Sequence, residues 1–136
     1  MANNDINAVK NALIDDIKAT DEFKSVYRDI KSHGDVKDSP SAAVFLIKAE
    51  VNDENDGERV LELQYGVQLF VKSSTKKSSS GDNESFVVEK FLDIVESGFS
   101  NLLDHSMHID IGELITIDAD NVGVGFFAMK IDYKLT

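Results

Sequence analysis

The clearest pattern in the chain is an alternation of apolar and polar side chains over residues 60–72, with Phe70 as the one exception. Alternation with a period of two is typical of a β-strand that buries one face. At about 3.3 Å per residue the strand would run about 43 Å, so it either crosses a whole sheet or projects from it as an arm. The apolar positions on its predicted buried face are Leu61, Leu63, Tyr65, Val67, Leu69 and Val71.

Two segments repeat apolar residues every three or four positions and are predicted to be helices. The first covers residues 5–18 and the second covers residues 84–104. Gly98 lies inside the second helix, where it costs about 1 kcal/mol relative to alanine and indicates a close approach of another backbone. The apolar stripes are Ile6, Val9, Leu13, Ile14 and Ile17 in the first helix, and Val88, Phe91, Leu92, Val95, Phe99, Leu102 and Leu103 in the second.

Further segments of β-type alternation flank these elements. The Asp56-Gly57 pair, between two of them, is typical of a hairpin turn. In the last strand the apolar positions switch from even to odd numbers at Phe126–Phe127, which predicts a β-bulge there. The predicted strands, besides 60–72, are 26–30, 42–51, 109–117 and 122–135.

The order helix, short strand, hairpin, helix, hairpin predicts an α+β fold. We expect one domain, residues 1–136, with a mainly antiparallel β-sheet, two helices packed on one face and a long β-hairpin. Two polar segments separate the elements. Residues 31–41 hold the only proline, and the Ser-rich residues 73–83 are expected to form a mobile loop.

The charge balance narrows the choice of partners. The chain carries 25 acidic and 14 basic residues, a formal net charge of −11. Gripping phosphates requires clustered Lys and Arg, so nucleic acid and anionic membranes are poor partners, although like charge would let DNA pass by without sticking. The absence of cysteine excludes disulfides and thiolate sites. With no apolar run of 18 residues and no signal-peptide pattern, we expect folding in a cytoplasm.

The acidic turn Asn52–Glu58 has the composition of a calcium-binding loop. With Gly57 at the sixth position, however, the twelfth position is Leu63, where an EF-hand requires a bidentate glutamate. The turn also joins strands rather than helices. A solvated hairpin turn is therefore the favoured interpretation.

His105 and His108, together with Asp104 and Asp110, place two imidazoles and two carboxylates within seven residues. Zinc-binding histidines on one helix are spaced by four, whereas these are spaced by three at a helix end. Histidine is favourable at that end simply because of the helix dipole. We therefore favour a structural role for these histidines, and a metal site remains the alternative.

No catalytic or cofactor-binding pattern stands out in the rest of the sequence. No Gly-x-Ser-x-Gly elbow occurs, and the serines of 78–80 lie in a segment too mobile to position a nucleophile. Gly123-Val124-Gly125 lies inside a strand, where glycines mark a bulge or a neighbouring backbone rather than a phosphate loop. We therefore expect no enzyme activity and no cofactor. The predicted strands and the polar loop instead favour a structural or interaction protein.

The arrangement of segments over residues 5–135 resembles the tail-terminator, or tail-completion, proteins of long-tailed bacteriophages, the family of the lambda minor tail protein U. The N-terminal helix leads to a short strand, and a Pro-containing loop precedes an apolar strand. A long strand then precedes the second helix, and two strands close the chain. The segments that carry the resemblance are Ser25–Ile30, Ala42–Ile47, Leu61–Lys72, Ile109–Glu113 and Val122–Leu135.

The resemblance implies a hexameric ring that docks on the last ring of the tail tube. Such a ring would stop further tube subunits from adding and would present a surface to the head–tail connector protein. Its expected partners are copies of itself, the tail tube protein and the connector, with DNA passing through the lumen without specific binding. Its expected location is the virion tail, after assembly in the host cytoplasm.

We expect subunit contacts at the edge of the 42–72 hairpin and on the exposed side of the N-terminal helix. The loops Asn52–Glu58 and Ser73–Asn83 are the predicted contacts with the tube. One alternative is another head–tail joining protein of the same assembly, and a second is a small metal- or ligand-binding domain that uses His105, His108 and Asp110. The predicted partner-binding residues are Asp53, Glu54, Asp56, Glu58, Lys76 and Lys77.

Overall fold

The computed structural model describes residues 6–53, 59–72, 80–106, 108–119 and 122–134. Three helices and six strands form in this part of the chain, with a short 3-10 turn at His33–Asp35. The helices are α1 (Ile6–Ala19), α2 (Ser80–Glu96) and α3 (Ser100–Leu103). The strands are β1 (Ser25–Tyr27), β2 (Ser41–Asp53), β3 (Arg59–Lys72), β4 (His108–Ile111), β5 (Ile115–Ala119) and β6 (Val122–Lys134).

All six strands belong to one sheet. The order across it is β1, β2, β3, β6, and the far side of β6 pairs with β5 along one part of its length and β4 along another. Only β1 and β2 run parallel, and every other pair is antiparallel. The predicted α+β fold with a mainly antiparallel sheet and a long β-hairpin is confirmed.

Strand β3 runs through the middle of the sheet. It pairs with β2 on one side and with β6 on the other, and the β6 ladder runs from Val60 opposite Lys134 to Lys72 opposite Val122 without a shift. The length of the strand left two alternatives open, and the structure shows that it crosses the whole sheet. It does not project as an arm.

The helices pack on one face of the sheet, which we call the helix face. Helix α2 lies against β3, β5 and β6, while α1 contacts α3 and β1. The side chains buried between the helices and this face include Leu13, Ile17, Leu63, Tyr65, Val67, Leu69, Ile94, Leu102, Phe127, Met129 and Ile131. No helix in the described part of the chain is long and apolar enough to cross a membrane.

The opposite face, which we call the open face, carries Phe45 of β2 directly opposite Gly66 of β3, and Phe126 of β6 opposite Gln68, one diagonal step from Gly66. The two rings stack with centroids 6.2 Å apart. They occupy the space above Gly66, where an added Cβ atom would come within 2.6 Å of the Phe45 ring. Glycine at this position is therefore what allows the two rings to meet.

The connection between β1 and β2 covers the neighbouring part of the open face. The side-chain amide of Gln68 accepts a hydrogen bond from the Lys31 backbone N–H and donates one to the Lys31 carbonyl, both at 2.8 Å. This pair satisfies both functions of the amide and fixes the connection on the sheet. Phe70 beside it is only 1% exposed.

A buried carboxylate joins α1 to α3. Asp16 is 3% exposed, and its two oxygens accept the backbone N–H groups of Asn101 at 2.9 Å and Leu102 at 2.8 Å. The first N–H groups of a helix lack partners within the helix, and the side chain of the N-cap residue Phe99 supplies none here. Asp16 therefore caps α3 from 85 residues away.

The predicted bulge at Phe126–Phe127 is wrong. The ladder between β3 and β6 has no shift, and the two rings simply point to opposite faces. Phe127 is buried under α2, whereas Phe126 stacks on Phe45, so both faces of β6 are apolar at this point. The irregularity lies instead in β2, between Leu46 and Lys48.

The predicted single helix over 84–104 is also wrong, because it ends and restarts at Gly98. Gly98 and Phe99 both adopt left-handed backbone, with φ of 82° and 53°. Glycine takes this conformation without steric cost, which is its role here. An added Cβ atom at Gly98 would meet nothing within 4 Å, so no other backbone approaches it.

The remaining differences concern element boundaries. The predicted strand over 109–117 is two strands, β4 and β5, separated by 112–114, and the Gly112 N–H donates to the Ala128 carbonyl at 2.8 Å in the break. The short strand predicted at 26–30 covers only Ser25–Tyr27. Residues 80–83, predicted as loop, form the first turn of α2. Most of the predicted mobile loop lies outside the described residues.

Replacing Asp16 tests its capping role. We expect Asp16→Ala to lower the free energy of unfolding by about 3 kcal/mol. The substitution removes two charge-assisted hydrogen bonds and leaves the backbone N–H groups of Asn101 and Leu102 without an acceptor. Asp16→Asn should cost less, because its single amide oxygen still accepts one bond. Urea denaturation measures both, with Asp15→Ala, exposed on the same helix, as the control. Equal stability of Asp16→Ala and the control would contradict the assignment.

Candidate functional site

The outer edge of β2 is open over most of its length. Strand β1 covers only Ser41–Ala43, and no other described strand pairs beyond that point. Residues 46–52 are all exposed, including three large apolar side chains. An edge with free backbone groups and apolar side chains is a template for pairing with another chain. The exposed fractions are 45% for Leu46, 42% for Ile47 and 55% for Val51.

The opposite edge of the sheet is open as well. Within the described residues β4 pairs only with β6, and its other side carries no strand. His108 and Asp110 point to the open face and are exposed, with His108 Nε2 at 3.0 Å from Asp110 Oδ1. Next along this edge, Ile115 and Ile117 of β5 are each 56% exposed. On both sides of the sheet, therefore, part of an outer strand edge is paired with no other strand of the described chain.

Charged and polar residues cross the open face in two rows, each running from β2 to β4. The lysine row consists of Lys48, Gln64, Lys130 and Asp110, which are direct neighbours on β2, β3, β6 and β4. The carboxylate row consists of Glu50, Glu62, Asp132 and His108 on the same four strands. Each row therefore begins and ends at an open edge with a charged or titratable side chain.

The predicted partner-binding residues fall at the margins of the described structure. Asp53 ends β2, where its backbone is opposite Arg59, and the other five residues (Glu54, Asp56, Glu58, Lys76 and Lys77) lie outside the described residues. Asp53 is opposite Arg59 at one end of β3, and Lys72 is at the other end of β3. At about 3.3 Å per residue these ends are about 43 Å apart. The structure therefore does not bring the attachment points of the two predicted loops together.

The histidine group forms only a pair. His105 is exposed in the turn after α3, where its backbone N–H donates to Leu102. The side chain of His108 forms a hydrogen bond with the Asp110 carboxylate on the same strand. Among the described residues no group of three or more His, Asp or Glu side chains could hold a metal ion.

The glycines of β6 serve packing. An added Cβ atom at Gly123 would lie 2.7 Å from the Asn83 carbonyl oxygen, and one at Gly125 would overlap Val87. Both neighbours belong to α2. The interpretation as the mark of a neighbouring backbone is confirmed for Gly123, whereas Gly125 makes room for the Val87 side chain. Together the two glycines let the start of α2 lie directly on the strand.

Sequence reasoning missed an acidic cleft between α1 and α2, about 310 Å³ in volume. Four carboxylates from distant parts of the chain line it: Asp16, Glu22, Asp93 and Glu96. The Asp16 carboxylate accepts hydrogen bonds from the α3 backbone, and Lys90 forms an ion pair with Glu22. No motif in the sequence indicates the cleft, because only the packing of α3 on α1 brings the end of α2 to it.

Comparison with known proteins gives little beyond these observations. No protein-family model matches the chain, and no curated protein sequence matches it. Among solved structures it is similar to a chain in the virion of a native gene transfer agent particle, with a TM-score of 0.49 and 6% sequence identity. The match covers 98% of this chain and 99% of that chain. A likeness of this degree assigns no function.

Among the described residues, Tyr65 is the buried group whose pKa is strongly shifted. Burial raises the pKa of Tyr65 to about 12, and the positive charge of Arg28 opposes the shift. The unfolded pKa is about 10, so the folded state holds its proton longer and stability falls as pH rises from about 10 to 12. At physiological pH the phenol is protonated and is neither a base nor a nucleophile.

Replacing Tyr65 by phenylalanine measures this effect. The free energy of unfolding of the natural protein should fall between pH 9 and pH 11 by about 1 kcal/mol more than that of Tyr65→Phe. Urea denaturation of both proteins at the two pH values gives the difference, and titration of other groups cancels in it. Parallel pH dependence of the two proteins would show that Tyr65 titrates normally.

Proposed function

We propose that this protein is a structural virion protein of the tail-terminator type, which forms a hexameric ring on the end of a phage tail tube. The observation that carries the proposal is the pair of open edges on opposite sides of one sheet. A protein with two different open edges can bind copies of itself head to tail, and such an interface gives a closed ring when the rotation closes. The resemblance to the tail-terminator family supplies the kind of ring.

Termination of a tube requires geometry and no reaction. One surface of the ring would complement the last ring of the tube, and the opposite surface would not repeat it, so that further tube subunits find no partner. The groups that first invite a chemical interpretation have structural roles: Asp16 caps α3, Tyr65 stays protonated, and Gly123 and Gly125 admit α2. These structural roles support the proposal that the protein is not an enzyme.

The charge of the chain supports a lumen through which DNA passes. A net charge of −11 repels a polyanion, and the carboxylate row adds three acidic side chains in succession on the open face. A ring that repels DNA keeps it moving, whereas a basic ring would hold it. In this function the protein assembles in the host cytoplasm and resides in the virion tail.

The two predicted contact segments flank opposite ends of β3, so we assign them to two different partners. One segment, continuous with Asp53, would meet one neighbour of the ring, and the segment that follows Lys72 would meet the other. The two neighbours are the tail tube protein and the head–tail connector protein. This assignment refines the expectation that both loops contact the tube.

Negative-stain imaging of the purified protein, alone and mixed with short tail tubes, tests the proposed function. We expect six-fold rings at tube ends and tubes that no longer lengthen when tube subunits are added. A stable monomer that ignores tubes would overturn the proposal. Rings that bind the connector but not the tube would assign the protein to a neighbouring ring of the same joint.

Charge reversal in the two segments tests the assignment of partners. The variant Lys76→Glu with Lys77→Glu and the variant Glu54→Lys with Glu58→Lys should each lose binding to one partner by at least tenfold and keep binding to the other. Ring formation should survive in both, which imaging checks. Loss of tube binding in both variants would restore the expectation that both loops contact the tube.

A further inference from the structure

The two open edges of the sheet run in opposite directions. Strands β2, β3, β6 and β4 alternate in direction, because each neighbouring pair is antiparallel. If a second copy is placed beside the first by a rotation about an axis along the strands, its β2 lies antiparallel to β4 of the first. The topology therefore allows the sheet to continue from one copy to the next without turning the copy over.

The faces of the two edges restrict the register of such a pair. On β2, Lys48 and Glu50 lie on the open face, and on β4, His108 and Asp110 do so. Residues directly opposite in an antiparallel pair share a face, so the register can shift only in steps of two. Three alignments bring the charged pairs of the two strands against each other.

Charge selects one of the three alignments. With Lys48 opposite Asp110, Glu50 comes opposite His108, and Ala49 comes opposite the large side chain of Ile109. A shift of two residues in one direction places Glu50 opposite Asp110, and a shift in the other places Lys48 opposite His108. Like charges directly opposite are destabilising, whereas opposite charges and a donor facing a carboxylate are stabilising.

We propose that β2 of one copy pairs antiparallel with β4 of the next, with Lys48 opposite Asp110 and Glu50 opposite His108. This contact rests on the proposed ring and names its subunit interface. It occupies both open edges at once and extends the lysine row and the carboxylate row from one copy into the next. Asp110 and His108 are more than 60% exposed and are free to be reached by the neighbouring strand.

A symmetric pairing of two β2 strands is the rival arrangement. Centred on Ala49, it would also place Lys48 opposite Glu50, in both directions. It leaves the β4 edge open, however. A symmetric contact gives a dimer and stops, whereas the head-to-tail contact adds copies in succession.

Disulfide trapping distinguishes the two arrangements, and the chain has no cysteine of its own to interfere. Residues directly opposite in an antiparallel pair are close enough for a disulfide. Within one copy, positions 48 and 110 are separated by three strand spacings, about 14 Å, which a disulfide cannot span. Any cross-link in the variant Lys48→Cys with Asp110→Cys therefore joins two copies.

After mild oxidation, we expect this double variant to give a ladder of dimers, trimers and larger species on a non-reducing gel. The matched control Glu50→Cys with Asp110→Cys, which tests the register shifted by two, should give at least tenfold less. Cross-linking of Lys48→Cys with Glu50→Cys that ends at the dimer would identify the symmetric pairing and overturn the proposal. An absent ladder, or equal ladders in test and control, would overturn it too.

Charge reversal gives an independent measurement by sedimentation velocity. Lys48→Glu should weaken self-association about tenfold, and adding Asp110→Lys should restore it. The exchange Lys48→Glu with Glu50→Lys should weaken the head-to-tail contact but preserve the symmetric one. Failure of Asp110→Lys to restore association would contradict the proposed pairing.

The outcomes separate this interface from the proposed function. Rings on tube ends without the Lys48–Asp110 cross-link would leave the tail-terminator function standing and reject the interface. The expected ladder from a protein that ignores tail tubes would establish the interface and reject that function.

Discussion

The structure depends on the double pairing of β3. Its backbone is bonded to β2 on one side and β6 on the other over nearly all of its length, so neither edge of this strand is exposed. Its helix face is covered by the helices, and its open face is covered around Gly66–Phe70 by the Phe45–Phe126 pair and the connection held by Gln68. A strand paired along both edges gives the helices a fixed platform and holds the outer strands in register.

The same arrangement explains why the outer strands are available. Burial and hydrogen bonding are concentrated at the centre of the sheet, so the fold does not need a partner for the far parts of β2 and β4. Their side chains alternate between charged residues on the open face and apolar residues on the helix face. The charged residues keep these exposed edges soluble in a single copy, and their positions specify which register a partner strand can adopt.

The elements that the sequence predicted well are those with long and one-sided patterns. Helix α1 and strand β3 each bury one face, so the periodicity of their apolar residues follows the structure closely. Strand β6 is apolar on both faces around Phe126 and Phe127, and the pattern was therefore mistaken for a bulge. Gly98 ends a helix through its backbone angles, which leave the spacing of the apolar side chains unchanged.

The candidate site was less accessible to sequence reasoning, for a related reason. The charges of Lys48, Glu50, His108 and Asp110 are plain in the sequence, but their alignment into rows depends on the register of four strands. The prediction that the edge of the 42–72 hairpin makes subunit contacts remains a prediction. The residues chosen as partner contacts lie mostly beyond the described part of the chain.

The cap supplied by Asp16 has a consequence for how the molecule opens. A helix of four residues is far too short to persist alone, because its nucleation cost exceeds what so few bonds return. Since its first amides are held by α1, the end of the α2–α3 segment belongs to the same cooperative unit as the N-terminal helix. The amide protons of Asn101 and Leu102 should therefore exchange with solvent as slowly as those in the middle of α1, and far more slowly than their place in a short surface helix would indicate.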